Sequence, residues 1–456
     1  MNSVDTKAKR IPTLKINPFT PVKRIVDQVG QGFDELGDVL QVTGLPVKVF
    51  CFRNQEHVAA LLRHQPVGMT KYPQILPRVK KVMGNGGYIL AGGSEWKERR
   101  TKVQPAFKAP CLRHYAQQIP AVTRHLINRW DERIEREGVF DICRDLQALI
   151  TQINFDIFFS KDLSGGKCDL SDPLLEEVRS KTQFIELEFV RPTPLWVPQP
   201  KHFRFRQYDA RLREIMREII RERRNAKTED KDLLSVLLDV RGEESGKPWT
   251  DEDILDEVFS VYYGAAVMST TLAWCFYMIA SHPEVQRKLR EELKDVLAGR
   301  EPRVEDLASL KYTEMVMNET VRLYPPSWGY PRYCEQGMEI DGYSIPKNSL
   351  VVPMVYHSHR DPRYWERPDD FYPEHFDSEK TASIDRFLYY PYGGGARMCL
   401  GANLAPLVLQ LVIASVFQKY RMEFKPRFEG DPVEEFGFEI HPHDQICMDV
   451  RRLDDE

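Results

Sequence analysis

Apolar residues recur at intervals of three and four over 114–137, 207–224, 233–240 and 251–280, the spacing of helices that bury one face. Strand-like text is scarcer. It is confined to 46–52, 350–354 and 436–450, each rich in β-branched or aromatic residues. Such short pieces do not stand alone, so they are expected to pair into small sheets beside the helices. Two stretches, 258–283 and 398–418, carry no formal charge for about the length of a bilayer crossing. Ser260, Ser269, Thr270 and Thr271 in the first, Pro406 in the second, and the absence of paired aromatic and basic belts argue against membrane spans. Helices that are apolar all round are also what the centre of a large helical protein requires. Both are expected to be core helices packed near each other, and Pro406 to kink the second. The fold class is mainly α with small β-sheets.

With 456 residues, several domains or one large many-helix unit is expected. Lys and Arg total 64 against 68 Asp and Glu, a net charge of −4, which speaks against nucleic acid as a partner. Eight scattered cysteines offer no close zinc-type or thioredoxin-type pair, favouring a reducing, cytoplasmic setting. Residues 1–27 mix basic side chains with prolines and hold no apolar run like a signal peptide or transmembrane anchor. They are expected to be solvated, within an N-terminal arm 1–45 that precedes one functional domain, 46–456. The proline-rich 191–200 reads as a mobile lid within that domain.

The chemistry concentrates at Tyr392-Gly393-Gly394-Gly395-Ala396-Arg397-Met398-Cys399-Leu400-Gly401, which runs into helical text beyond Asn403. Glycines let backbone approach a flat ligand and free amides to point at a sulfur. A helix start close to Cys399 would favour thiolate over thiol. Arg397 could pair with a carboxylate of the same ligand. The bland alternative, a small buried cysteine in a glycine-rich turn, would ordinarily win for a lone cysteine.

This loop resembles the cytochrome P-450 signature Phe-x-x-Gly-x-Arg-x-Cys-x-Gly, with Tyr392 in place of Phe and Gly395, Arg397, Cys399 and Gly401 matching. The resemblance implies haem b, with Cys399 as the axial iron ligand and the cofactor between the 258–283 helix and the helix after Cys399. Thiolate ligation favours O–O cleavage. Glu319-Thr320-Val321-Arg322 resembles the family's structural Glu-x-x-Arg helix. Trp96 and Arg100 resemble its Trp-x-x-x-Arg motif, whose end residues share a helical face and contact a haem propionate. Arg332 matches a third propionate contact.

Two departures stand out. His375 replaces the Arg that completes a charge network with Glu319 and Arg322 in the family, and histidine lacks the permanent charge and forked geometry of arginine. Ala266 and Val267 occupy the positions of the usual acid–alcohol pair, and neither carries a proton. Proton delivery to dioxygen then falls to Thr270, three residues and about 4.5 Å further along a helix, with a local bulge bringing a hydroxyl inward, or to substrate hydroxyls or water.

What the resemblance implies is a soluble haem-thiolate monooxygenase acting on an apolar organic substrate, with electrons from a ferredoxin or flavodoxin and its reductase. No Gly-x-Gly-x-x-Gly fingerprint suggests a fused reductase. Lys97, Arg99, Lys102 and Lys108 are candidates for a basic docking face. Substrate contacts implied are Tyr88, Ile89, Leu90, Phe184, Tyr263, Trp328 and Phe438, beside Ala266 and Val267. Ala266 and Val267 keep open a peroxygenase, or an isomerase or dehydratase, that needs no proton relay; a noncatalytic haem sensor ranks behind these.

Overall fold

The computed structural model describes residues 9–17, 19–45, 47–63, 69–70, 87–160, 200–226, 232–242, 246–381, 384–426, 432, 434–437, 439–442 and 445–453, without the side chains of 69–70, 200–206 and 208. Helices dominate and the strands gather in small sheets, as the apolar periodicity predicts. The chain forms two compact units. One comprises 1–77, 321–399 and 435–440, the other 78–320, 400–434 and 441–456.

The first unit is built on a six-stranded sheet in the order Thr13–Lys15, Val39–Thr43, Lys48–Phe52, Ser349–Pro353, Arg332–Cys334, Met69–Thr70. The expected strands near 46–52 and 350–354 are its central parallel pair, with Lys48 opposite Ser349 and Phe52 opposite Pro353. Helix Val22–Leu36 lays Val26, Val29 and Phe33 against Leu40, Val42, Val49 and Val352. Residues 13–15 and 22–27 of the stretch expected to be solvated thus belong to this sheet and helix. Their basic residues face outward, whereas the apolar positions between them, such as Ile16 and Val26, are buried.

The second unit is helical. Leu404–Phe417 packs along Ala109–Glu137 and against Met268–Ser281, with the Phe276 and Phe417 rings 5.1 Å apart. The two uncharged stretches are thus neighbouring core helices. Asp251–Ser281 is long and apolar enough to cross a membrane, but it is largely buried within this unit. Pro406 is the third residue of its helix, where no intrahelical partner awaits an N–H, so the expected kink has no cause. A three-stranded sheet joins Tyr420–Phe424, Cys447–Arg452 and Val139–Asp141. The lid expected at 191–200 lies outside the described residues up to 199; Pro200 opens helix Pro200–Asn225.

Candidate functional site

In the first unit the glycine-rich loop folds back on itself. The Cys399 amide donates to the Tyr392 carbonyl at 2.9 Å, Gly393 N–H to Tyr390 O at 2.9 Å, and Met398 N–H to Gly395 O at 3.1 Å. Gly393 and Gly395 have φ of +69° and +65°, a region that favours glycine. Gly395 also lies so close to helix Gln55–Arg63 that a Cβ there would fall 1.9 Å from the Leu62 carbonyl oxygen. The loop is clamped against that helix, and Cys399 is left exposed and outside any disulfide.

Helix Leu404–Phe417 begins five residues after Cys399, with turns between, so the sulfur does not sit in a first helical turn. Its setting comes from the loop itself. Tyr330 packs under the loop, its ring 3.9 Å from where a Gly393 Cβ would be, and its hydroxyl donates to the Pro391 carbonyl. Burial, then the charge of Cys399, pushes the Tyr330 phenol well above its ordinary range. The loop's entrance is tied down by Tyr390, whose amide donates to His359 Nε2 at 3.0 Å and whose hydroxyl meets Ser358 Oγ at 2.8 Å. Burial and the neighbouring Arg322 keep His359 neutral, well below the usual imidazole range, and so able to accept that bond.

Arg332 carries the clearest sign of an acidic ligand. Burial lowers its guanidinium to about 10, Nε is buried without a hydrogen-bond partner, and Nη1 reaches only the Pro331 carbonyl at 3.0 Å. Among the described residues it makes no ion pair. The residue is half-buried, but a guanidinium whose Nε is buried and unpaired costs stability unless an anion joins it, so a haem propionate fits the donor set. Arg397, half-buried, lies in the same loop.

The structural pair Glu319 and Arg322 is buried on helix Lys311–Leu323. The Arg322 guanidinium donates to the carbonyls of His359 at 2.8 Å, Pro368 at 2.6 Å and Asp370 at 3.0 Å, and lies 5.0 Å from the Trp365 ring centroid. His375 reaches the Glu366 carbonyl and packs edge-on against Trp365. Residue 375 therefore braces the same loop through a carbonyl, a contact a neutral imidazole makes as well as a charged one.

In the second unit, Trp96 and Arg100 share a face of helix Gly93–Val103, the guanidinium 5.9 Å from the indole centroid. Arg99 turns elsewhere and pairs with Glu257 at 2.8 Å, which removes it from the expected basic docking face; Lys97 and Lys108 are exposed. The helix expected over 251–280 is interrupted at Val267, giving Asp251–Ala266 and Met268–Ser281. At the break Ser269 Oγ donates to Ala266 O at 2.9 Å and Thr271 Oγ1 to Val267 O at 3.3 Å. The half-buried Thr270 hydroxyl makes no hydrogen bond among the described residues. Gly401 accepts the amides of Leu404 and Ala405, both at 2.9 Å.

Of the expected substrate contacts, Tyr88, Ile89 and Leu90 form the short helix Gly87–Leu90 packed on Asp251–Ala266, and Tyr263 is buried on the latter. Trp328, in the first unit, gives its indole N–H to the Gly437 carbonyl at 3.1 Å and packs on that unit's core. Phe184 and Phe438 lie outside the described residues. Sequence reasoning missed Tyr330, and nothing in one dimension links the His359 imidazole to the Tyr390 amide.

An exposed cysteine on a glycine loop, in the same unit as a guanidinium short of an anion, has the chemistry a haem-thiolate centre requires. The cytochrome P450 family profile matches residues 10–446. A cyclooctat-9-en-7-ol 5-monooxygenase of Streptomyces melanosporofaciens is 28% identical over 86% of this chain and 83% of its own length. Cyclooctatin synthase of the same organism is 27% identical over 90% and 86%. Human cytochrome P450 3A5 is 28% identical over 74% and 69%. The chain belongs to the cytochrome P450 family and is a haem-thiolate monooxygenase, an oxidoreductase of the class that oxidises organic substrates with electrons from a redox partner.

Proposed function

We propose that this monooxygenase is a soluble, cytoplasmic protein that uses haem b and dioxygen on an apolar organic substrate, with electrons from a ferredoxin or flavodoxin served by its reductase. The observation that carries the reading is the Cys399 loop together with the unpaired Arg332 Nε in the same unit. Cys399 is assigned to the iron, and Trp96, Arg100, Arg332 and Arg397 to the propionates; Tyr392, Gly395 and Gly401 shape the loop. Thiolate-ligated haem, when bound, supplies dioxygen activation and insertion of one oxygen atom into the substrate. The relative named for oxidising cyclooctat-9-en-7-ol supports an unsaturated alcohol as the substrate class. Exposed Lys97 and Lys108 support an acidic electron donor.

Proton movement is the part this chain must do differently. Ala266 and Val267 offer no proton, and the Ser269 and Thr271 hydroxyls are spent on the carbonyls of Ala266 and Val267. Thr270, whose hydroxyl is free among the described residues, is the group assigned to order water and pass protons. Thr270→Val should cut product formed per electron consumed by about tenfold or more with dioxygen, while peroxide-driven turnover stays near wild type. Equal coupling in both proteins would remove Thr270 from the relay. Ala266 and Val267 favour one second reading, a peroxide-consuming or rearranging enzyme. Product from peroxide but none from dioxygen with a surrogate reductase would select it.

A further inference from the structure

Glu257 is fully buried on helix Asp251–Ala266, yet the reaction as proposed leaves it without a task. A carboxylate in that position is costly unless its oxygens are satisfied. Both are. Oε1 accepts from Arg99 Nη1 at 2.8 Å, and Oε2 accepts from the Tyr88 backbone N–H at 2.9 Å. Arg99 is itself held by Glu95 at 3.1 Å, by Asp253 at 3.7 Å, and 5.7 Å from the Trp249 ring centroid.

The segment that Glu257 grips touches the helix at more than one point. Gly87 has φ +32°, and a Cβ there would lie 2.4 Å from Ser260 Oγ, 2.7 Å from the Asp256 carbonyl and 2.8 Å from Glu257 Oε2. Only glycine allows this approach. Two residues on, Ile89 Cδ1 is 3.9 Å from where a Gly264 Cβ would be. Glu257, Ser260 and Gly264 are spaced by three and four, a single stripe of the helix. The stripe ends beside Ala266, where the helix breaks.

We propose that Glu257 and Arg99 are positioning residues which lock the 87–90 segment onto helix Asp251–Ala266, fixing one wall of the substrate pocket and so deciding which bulky apolar ligands it accepts. The inference rests on the reading of Tyr88, Ile89 and Leu90 as pocket-lining residues. An ordinary structural ion pair would support the two helices without reaching into ligand choice. Here one carboxylate oxygen is committed to the backbone of the segment itself, so loosening the pair frees the wall.

The test uses holoprotein and two iron-binding probes, imidazole, which is too small to need the wall, and phenylimidazole, whose second ring must pack against it. Binding is read from the haem absorbance of wild type, Glu257→Gln, Arg99→Gln and the double variant. The expected result is phenylimidazole binding weakened by about tenfold in each single variant, imidazole within about twofold, and the double variant no worse than the weaker single. Parallel losses for both probes, or unchanged phenylimidazole binding, would overturn the proposal. Hydrogen exchange at the Tyr88 amide in wild type gives a reading that survives misfolded variants. Protection comparable to the Asp251–Ala266 helix is expected, and exchange as fast as in an open loop would overturn the clamp. Failure of the haem-thiolate reading shows differently, as no spectral response of wild type to either probe.

Discussion

Gly395 has the least freedom of any residue in the thiolate loop. It needs both a positive φ and the absence of a Cβ, since that atom would collide with the Leu62 carbonyl. Gly395→Ala should cost at least about 2 kcal/mol, from left-handed backbone strain alone. Urea unfolding of the holoprotein measures it, and haem content should fall in parallel. An alanine variant of wild-type stability would mean that the loop does not lie on helix Gln55–Arg63. The need for glycine at 393 and 395 was legible in the sequence, because few other residues take those backbone angles. Arg99 was not. It reads as one more cation of a basic helix, and only the fold brings the buried Glu257 within 2.8 Å of it. Likeness singled out Arg332, but that its Nε is buried without a partner is a three-dimensional fact.

Helix Lys311–Leu323 does its work through its last turn, from which Arg322 spreads over three carbonyls. Lysine brings a point charge instead of a fork and cannot reach all three. Arg322→Lys should destabilise by about 3 kcal/mol or more, because buried carbonyls lose charged donors. Thermal unfolding checks this, and a loss under about 1 kcal/mol would show that the carbonyls find other partners. The same element explains why His375 is tolerated: the loop is braced by bonds to backbone, so a donor serves where a permanent charge was expected. Periodicity found the helices Ala109–Glu137, Pro200–Asn225, Leu233–Leu238 and the Asp251–Ser281 region, where buried stripes are written into the spacing of apolar residues; Gln55–Arg63, Cys143–Phe159 and Pro283–Leu297 went unread. It could not find the interruption at Val267, because Ala266, Val267 and Met268 all suit a helix and the break shows in hydrogen bonding. Nor could it find helix Val22–Leu36. Its lysine, arginine and proline neighbours dominate the composition, while the buried face is only Val26, Val29, Gly32 and Phe33.

At the scale of the molecule, the chain divides into two compact units, and the residues singled out in the sequence fall in both. Cys399, Arg332 and Arg397 belong to the first, Trp96, Arg100, Val267 and Thr270 to the second. The split follows from chain order, since the first unit collects early and late segments around one sheet while the second keeps the long helices. That architecture was legible as mainly helical with small sheets; its division was not, because parallel pairing of Lys48–Phe52 with Ser349–Pro353 joins segments about 300 residues apart. The near-neutral charge balance suits a protein that works with an organic substrate and a redox partner, since it offers no basic excess for nucleic acid. Cys399 is assigned as the sulfur ligand of the haem iron. The absorption spectrum of the reduced holoprotein under carbon monoxide tests it most directly. A strongly red-shifted Soret band, lost in Cys399→Ser, is the result predicted; a band at the position seen with a neutral axial ligand, or one that the substitution leaves in place, would contradict it.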